Sequence, residues 1–197
     1  DLVQFPANVT NRTEAIAHRI ATAGIYRKVA DNQVKALRFI LSGSHEDMLQ
    51  LESDGRLEEW CHSTMQWLYT TFGKANVVAA TLHADEETPH IHATVVPIVT
   101  GERRKARQEA ENGKRKYKTK KNKIRLCADD LLTPKKLEEY QTSYAEQMRP
   151  FGLSRGVQGS EAKHRTNMEY YKELLKETKQ KQLEEEELIQ KVRELEK

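Results

Sequence analysis

Thr81-Leu82-His83-Ala84-Asp85-Glu86-Glu87-Thr88-Pro89-His90-Ile91-His92-Ala93-Thr94-Val95-Val96-Pro97 is the stretch on which the reading of this chain turns. It places three of the seven histidines between two runs of β-forming residues. Alternate side chains of a strand share a face, so His90 and His92 project together while Ile91 turns to the opposite side. The run from Asn76 to Leu82 also has strand character, and Asp85 to Pro89 is rich in turn formers. A hairpin-like return there brings His83 opposite the other two. A His-x-His pair on a strand edge is by itself common. A third imidazole beside it, with Asp85 and Glu86 adjacent, points to a metal site, because three rings buried around one point are hard to satisfy without an ion. Softness alone suits such a set to zinc, copper, nickel or iron, whereas magnesium and calcium favour oxygen.

Upstream, the pattern is helical and then extended. Thr10 or Asn11 offers an N-cap for a helix through Ala23, with Ile16 and Ile20 on one face and Gly24 as its stop. Leu2 to Phe5, closed by Pro6, reads as an edge strand or an arm. Lys35 to Ser42 reads as a strand whose inward set is Leu37, Phe39 and Leu41, or the alternate set. Ser44 caps a short helix to about Leu51. A longer helix begins at Gly55 or Arg56 and runs to Gly73, with Leu57, Trp60, Cys61, Met65, Leu68 and Phe72 at helical spacing, a core stripe. His45 and His62 read as ordinary surface or cap residues. The order helix, strand, helix, helix, strand, strand predicts an α+β fold, a central antiparallel sheet with helices packed on it.

Downstream, the composition changes. Between Glu102 and Arg125 twelve Lys or Arg stand against three Glu, with few apolar residues. A run of this kind cannot hold a core, so it predicts a basic finger or loop over 102–125 that orders on an anionic partner. The candidate phosphate-binding side chains are Arg103, Arg104, Lys105, Arg107, Lys114, Arg115, Lys116, Lys118, Lys120 and Lys121. The run leaves the strand that bears the histidines, and nucleic acid is the partner that meets both features. Thr133-Pro134 then sets up a helix from Lys135 to Phe151 with Leu137, Tyr140, Tyr144 and Met148 as its buried stripe. His164 has no assignment. From Thr166 to Lys197 there is no Gly or Pro, which predicts a long C-terminal helix. Leu188, Val192 and Leu195 keep heptad spacing, so the tail is either the start of a coiled coil, through which two copies would form a homodimer, or a solvated charged helix.

The chain of 197 residues suffices for one domain and a tail, divided here as 1–165 and 166–197. A net charge of +3 decides little beside its distribution. Cys61 and Cys127 form no metal-finger pattern and read as reduced cytosolic thiols. No apolar run reaches membrane-spanning length and no signal peptide is visible, so the expectation is a cytoplasmic protein with no membrane segment. The first residue is Asp1 rather than Met, which suggests a trimmed fragment.

The segment His83-Ala84-Asp85-Glu86-Glu87-Thr88-Pro89-His90-Ile91-His92 resembles the third motif of the MobV, or Pre/Mob, plasmid mobilisation relaxases within the HUH endonucleases. The passages Trp67 to Arg103 and Gly159 to His164 resemble Mob proteins of Bacteroides-type mobilisable elements, and the likeness extends to about Glu177. The resemblance implies a relaxase that nicks one DNA strand at a transfer origin, becomes linked to the 5′ phosphate and later rejoins the strand. It implies that His83, His90 and His92 hold a divalent ion, Mn2+ or Mg2+. Manganese is the better compromise with the softness argument, since it accepts imidazole and still polarises phosphate oxygen. Glu86 matches a carboxylate that orients or activates the nucleophile. Asp85 is the candidate partner of a ligating histidine, and the two assignments are interchangeable. The family nucleophile, a histidine or tyrosine, would precede Asp1; Tyr26, His18 and Tyr69 are not in a matching context. Two rivals stay open: an HUH replication initiator or transposase, and a non-catalytic DNA-binding module with a structural metal site.

Overall fold

The computed structural model describes residues 1–101, 123–157, 175, 176, 178–182 and 185. Contacts divide the chain into two units, Asp1–Arg155 and Gly156–Lys197. In the second unit the described residues 175, 176, 178–182 and 185 are helical. The seam residues Leu188, Val192 and Leu195, like His164, lie outside the described residues.

The first unit opens with an arm rather than a ladder strand. The Leu2 amide donates to the Ala80 carbonyl at 2.7 Å, and the Thr81 hydroxyl donates to the Asp1 carboxylate at 2.8 Å. Helix α1 spans Arg12–Thr22, capped by Asn11, whose side chain accepts from the Glu14 amide. Strand β1 spans Leu37–Leu41, α2 His45–Ser53 and α3 Leu57–Phe72. The Ser44 side chain caps α2 by accepting from the Asp47 amide, which satisfies one of the orphan donors of its first turn. Strands β2 (Val77–His83) and β3 (His90–Val95) follow, then β4 (Ile98–Thr100) and β5 (Ile124–Leu126), and α4 (Pro134–Met148) with Pro134 in its first turn. A short 3-10 turn, Arg149–Phe151, continues α4, so the helix expected to reach Phe151 ends its regular part at Met148.

The sheet order is β1-β3-β2, antiparallel throughout, which puts the histidine strand in the middle. Leu37, Phe39 and Leu41 face inward, the first of the two sets considered for β1. They meet Ile91, Ala93 and Val95 of β3, and Trp60, Leu68 and Phe72 of α3 close over them. Helix α4 joins this core through Tyr140, Tyr144 and Met148. The Trp67 indole N–H donates to Ser143 Oγ at 3.1 Å, and Trp67 meets the Tyr144 ring edge-on at 5.1 Å, so α3 and α4 are held by directional contacts as well as area. Leu137 does not join the stripe: it is 41% exposed, because it lies in the first turn of α4, before the helix meets α3. A register shift between Val77 and Ala79 takes Val78 out of the main core into a second cluster with Val9, Ala15 and Val96, on which Ile16 and Ile20 of α1 pack.

Strands β4 and β5 pair antiparallel, with Thr100 opposite Ile124. They clamp together the two ends of the basic segment. Arg125, counted with that segment from the sequence, is instead a strand residue that pairs with Asp130. Arg103, Arg104, Lys105, Arg107, Lys114, Arg115, Lys116, Lys118, Lys120 and Lys121 lie outside the described residues.

Candidate metal centre

Register alone brings the three histidines together. Cα partners across the β2–β3 ladder are His83 with His90 and Thr81 with His92, so the triad occupies one end of the ladder and one face. The residues between them on β3, and after them, face the core: Ile91 is 0% and Ala93 1% exposed. The same alternation that aims two imidazoles outward therefore anchors their strand.

The rings are half-buried, and one ring nitrogen from each lies within 4.8 Å of the others. Ring centroids are 4.8 to 5.1 Å apart. Hydrogen bonds fix two of the tautomers. His83 Nδ1 lies 3.0 Å from Glu86 Oε1, and an ionised carboxylate can only accept, so this nitrogen carries the proton. His90 Nδ1 donates in the same way to the Thr88 carbonyl at 2.9 Å. Both leave Nε2 with a free lone pair. His90 Nε2 and His92 Nε2 stand 3.1 Å apart. Two nitrogens bound to one ion at about 2.1 Å each would be roughly 3.0–3.4 Å apart for bond angles between octahedral and tetrahedral, so the spacing of this pair, which is also that of a hydrogen bond, is compatible with a shared ion.

Charge points the same way. The His92 imidazole has its pKa lowered, first by burial, then by His90, His83 and Arg38, with Glu86 opposing. The ring is thus biased toward the neutral form that can ligate. Nε2 of His83 and of His90, each with an acceptor on its Nδ1, would hold a divalent ion together with the half-buried His92 ring beside them. Such partners fix ring orientation and raise ligand basicity.

Of the two acidic candidates, Glu86 is the one in contact. Its Oε1 holds His83, and its Oε2 lies 3.8 Å from His90 Nε2. Asp85 is exposed, and the structure shows no contact between it and the three rings. None of the described tyrosines, nor His18, is hydrogen-bonded to the triad. Sequence reading missed Arg38, whose guanidinium approaches His92 Nδ1 at 3.5 Å. It also missed His45, whose Nδ1 lies 2.8 Å from Thr88 Oγ1, and Ser42, whose hydroxyl donates to the Pro89 carbonyl at 2.8 Å. No local pattern marks these residues, since each contact crosses more than forty positions and depends on β1 pairing with β3.

A family profile described as plasmid recombination enzyme matches residues 4–122, more than half of the chain. The chain belongs to the plasmid recombination enzyme family. Among its curated relatives, a 65 kDa protein of Zymomonas mobilis is 35% identical over 141 residues, which is 71% of this chain and 20% of that protein. The plasmid recombination enzyme of Bacillus thuringiensis is 31% identical over 157 residues, 78% of this chain and 29% of the relative. The chain therefore spans less than a third of the length of these curated relatives. In fold it is similar to the MobM relaxase domain (MOBV; Mob_Pre) bound to a 26-nucleotide pMV158 oriT DNA, with a TM-score of 0.62 and 19% identity over 86% of this chain and 84% of that one. A Mn-bound crystal structure of the same domain at pH 6.8, on a 22-nucleotide oriT strand with a 3′ thiophosphate, gives a TM-score of 0.63 and 21% identity over 87% and 76%. At this identity the likeness to MobM shows a shared fold, and the histidines of this chain stand on their own geometry.

Proposed function

We propose that this chain carries the metal-binding part of a relaxase site that nicks one DNA strand at a transfer origin and later rejoins it during plasmid or transposon mobilisation. The observation that carries the reading is the convergence of His83, His90 and His92, two of them with Nε2 held unprotonated by partners on Nδ1. Family membership and the DNA- and Mn-bound state of the structurally similar MobM domain support the substrate and the ion.

His83, His90 and His92 would hold Mn2+ or Mg2+, which when bound supplies Lewis acidity toward a non-bridging phosphate oxygen. Glu86 holds the His83 ring, and its second oxygen, 3.8 Å from His90 Nε2, would orient or deprotonate a nucleophile. Asp85, on the same exposed loop, is the alternative for that role. In the step proposed, a side-chain nucleophile outside the triad forms a bond to phosphorus while the bond from phosphorus to O3′ breaks. The 3′ oxygen leaves with a proton, and rejoining runs the same exchange backwards. The basic segment that includes Arg103, Arg104, Lys105, Arg107, Lys114, Arg115, Lys116, Lys118, Lys120 and Lys121 would contact backbone phosphates. No helix among the described residues is long and apolar enough to cross a membrane, and we place the activity in the bacterial cytoplasm, where plasmid DNA is.

The test is a labelled single strand carrying the transfer origin of the encoding element, incubated with Mn2+ and the full-length protein. Cleavage with protein attached to the 5′ end, abolished by chelator, is the expected result. Equal DNA binding with and without Mn2+, and no cleavage, would favour a non-catalytic DNA-binding module and overturn the proposal.

A further inference from the structure

The loop joining the ligand strands, Ala84 to Pro89, has exposed residues at its centre. Its far end is tied to the β1–α2 connection at two points. Ser42 Oγ donates to the Pro89 carbonyl, and the His45 ring is paired with the Thr88 hydroxyl, both at 2.8 Å. The Thr88 carbonyl then accepts from His90 Nδ1–H, which leaves the proton off His90 Nε2. The connection is itself pinned. A Cβ on Gly43 would lie 2.6 Å from Leu153 Cδ2 and 3.3 Å from Met48 Sδ, both buried side chains, and Ser44 next to it caps α2.

We infer that Ser42 and His45 are positioning residues for the metal centre: by bracing Pro89 and Thr88 they fix the carbonyl that sets the tautomer and direction of the His90 ring. The inference rests on the reading of the triad as a metal site. It follows from the short chain of contacts. His45 fixes the Thr88 side chain, Ser42 fixes the next peptide, and the carbonyl between them has only one orientation left in which it meets His90. Without the brace, the exposed loop lets the Thr88 peptide rotate, and a neutral imidazole that loses its Nδ1 acceptor also populates the Nε2–H tautomer, which cannot ligate through Nε2. Removing such an outer partner typically weakens metal binding about 10- to 100-fold.

The experiment is a double-mutant cycle on Mn2+ affinity by titration calorimetry. It uses His45→Ala, Thr88→Val and the pair, with Ser42→Ala and the conservative Ser42→Thr beside them, each first shown to melt with wild type in chelator. His45→Ala and Thr88→Val should each weaken Mn2+ binding at least tenfold, and the pair should be no weaker than either alone, because both cut the same brace. Ser42→Ala should weaken binding and Ser42→Thr restore it. Nitrogen chemical shifts of the metal-free protein give a second readout: His90 is the Nδ1–H tautomer in wild type and a mixture in His45→Ala. Unchanged affinity and an unchanged His90 tautomer in His45→Ala would overturn the inference. Should a variant melt early, the tautomer measured well below its melting temperature decides in the same way. A wild-type chain that binds no Mn2+ sinks the metal-site reading itself, which the brace variants do not test.

Discussion

Adjacent residues of β3 should respond to truncation in opposite ways. His90→Ala removes a half-buried ring whose hydrogen bond to the main chain is to the Thr88 carbonyl. That loss costs about 0.5–1.5 kcal/mol. Ile91→Ala removes a side chain that is 0% exposed at the centre of the core, and costs about 2–5 kcal/mol. For a unit the size of Asp1–Arg155, roughly 2–4 °C of melting temperature goes with each kcal/mol. His90→Ala should then lower the metal-free melting temperature by about 1–6 °C, and Ile91→Ala by about 4–20 °C. Mn2+ at a hundred times its dissociation constant adds about 2.7 kcal/mol to a protein with an intact site, or roughly 5–11 °C. Differential scanning calorimetry in chelator and in Mn2+ should show the Mn2+ increment kept in Ile91→Ala and lost in His90→Ala. The refuting outcome is a metal-free His90→Ala that melts as low as Ile91→Ala, for then the histidine cluster is part of what holds the fold, as in the structural-metal reading. An undiminished Mn2+ increment in His90→Ala would refute the ligand assignment.

Gly43→Ala should destabilise by about 1–3 kcal/mol although the substitution is small, because Leu153 and Met48 are buried and have no room to withdraw; a denaturation midpoint equal to wild type would contradict the packing. Burial pushes the Cys61 thiol up to about 11, with Glu58 adding to it. Its unfolded thiol ionises near 8.5, so above that pH the unfolded state binds fewer protons than the folded one, and stability should fall as pH rises; Cys61→Ser should flatten that slope in urea titrations at graded pH. Neutralising four basic residues between Arg103 and Lys121 should reduce the slope of log affinity for single-stranded DNA against log salt by about 3, and an unchanged slope would show that these charges do not meet phosphate.

The sequence announced its elements wherever a local signal existed. Asn11, Ser44 and Thr133 cap the helices they were expected to cap, and the α3 stripe from Leu57 to Phe72 is the core it was read to be. The histidine triad was legible because strand alternation is strictly local and the turn residues of Asp85 to Pro89 imply the return. What lay beyond reach was long-range. Nothing near Ser42, Arg38 or His45 says that β1 lies against β3, and His45 read alone is a helix-start residue. Leu137 failed for a related reason: its spacing matched the stripe, but the first turn of α4 leaves the core before the helix has reached α3.

In sequence the basic segment follows on the histidine strand, and of it only the roots lie among the described residues. Strand β3 enters with His90 and leaves with Val95, and a strand advances about 3.3 Å per residue, so its exit stands about 10 Å beyond His92. Pro97 and β4 intervene before Thr100, where pairing with Ile124 closes the base of the segment. Its roots therefore emerge from the end of the strand opposite the triad. Arg38, on the neighbouring strand and 3.5 Å from His92, is a cation that the fold itself brings to the histidine cluster. A strand held in the middle of a sheet thus separates by its length the histidine cluster where it begins from the roots of the basic segment beyond its end.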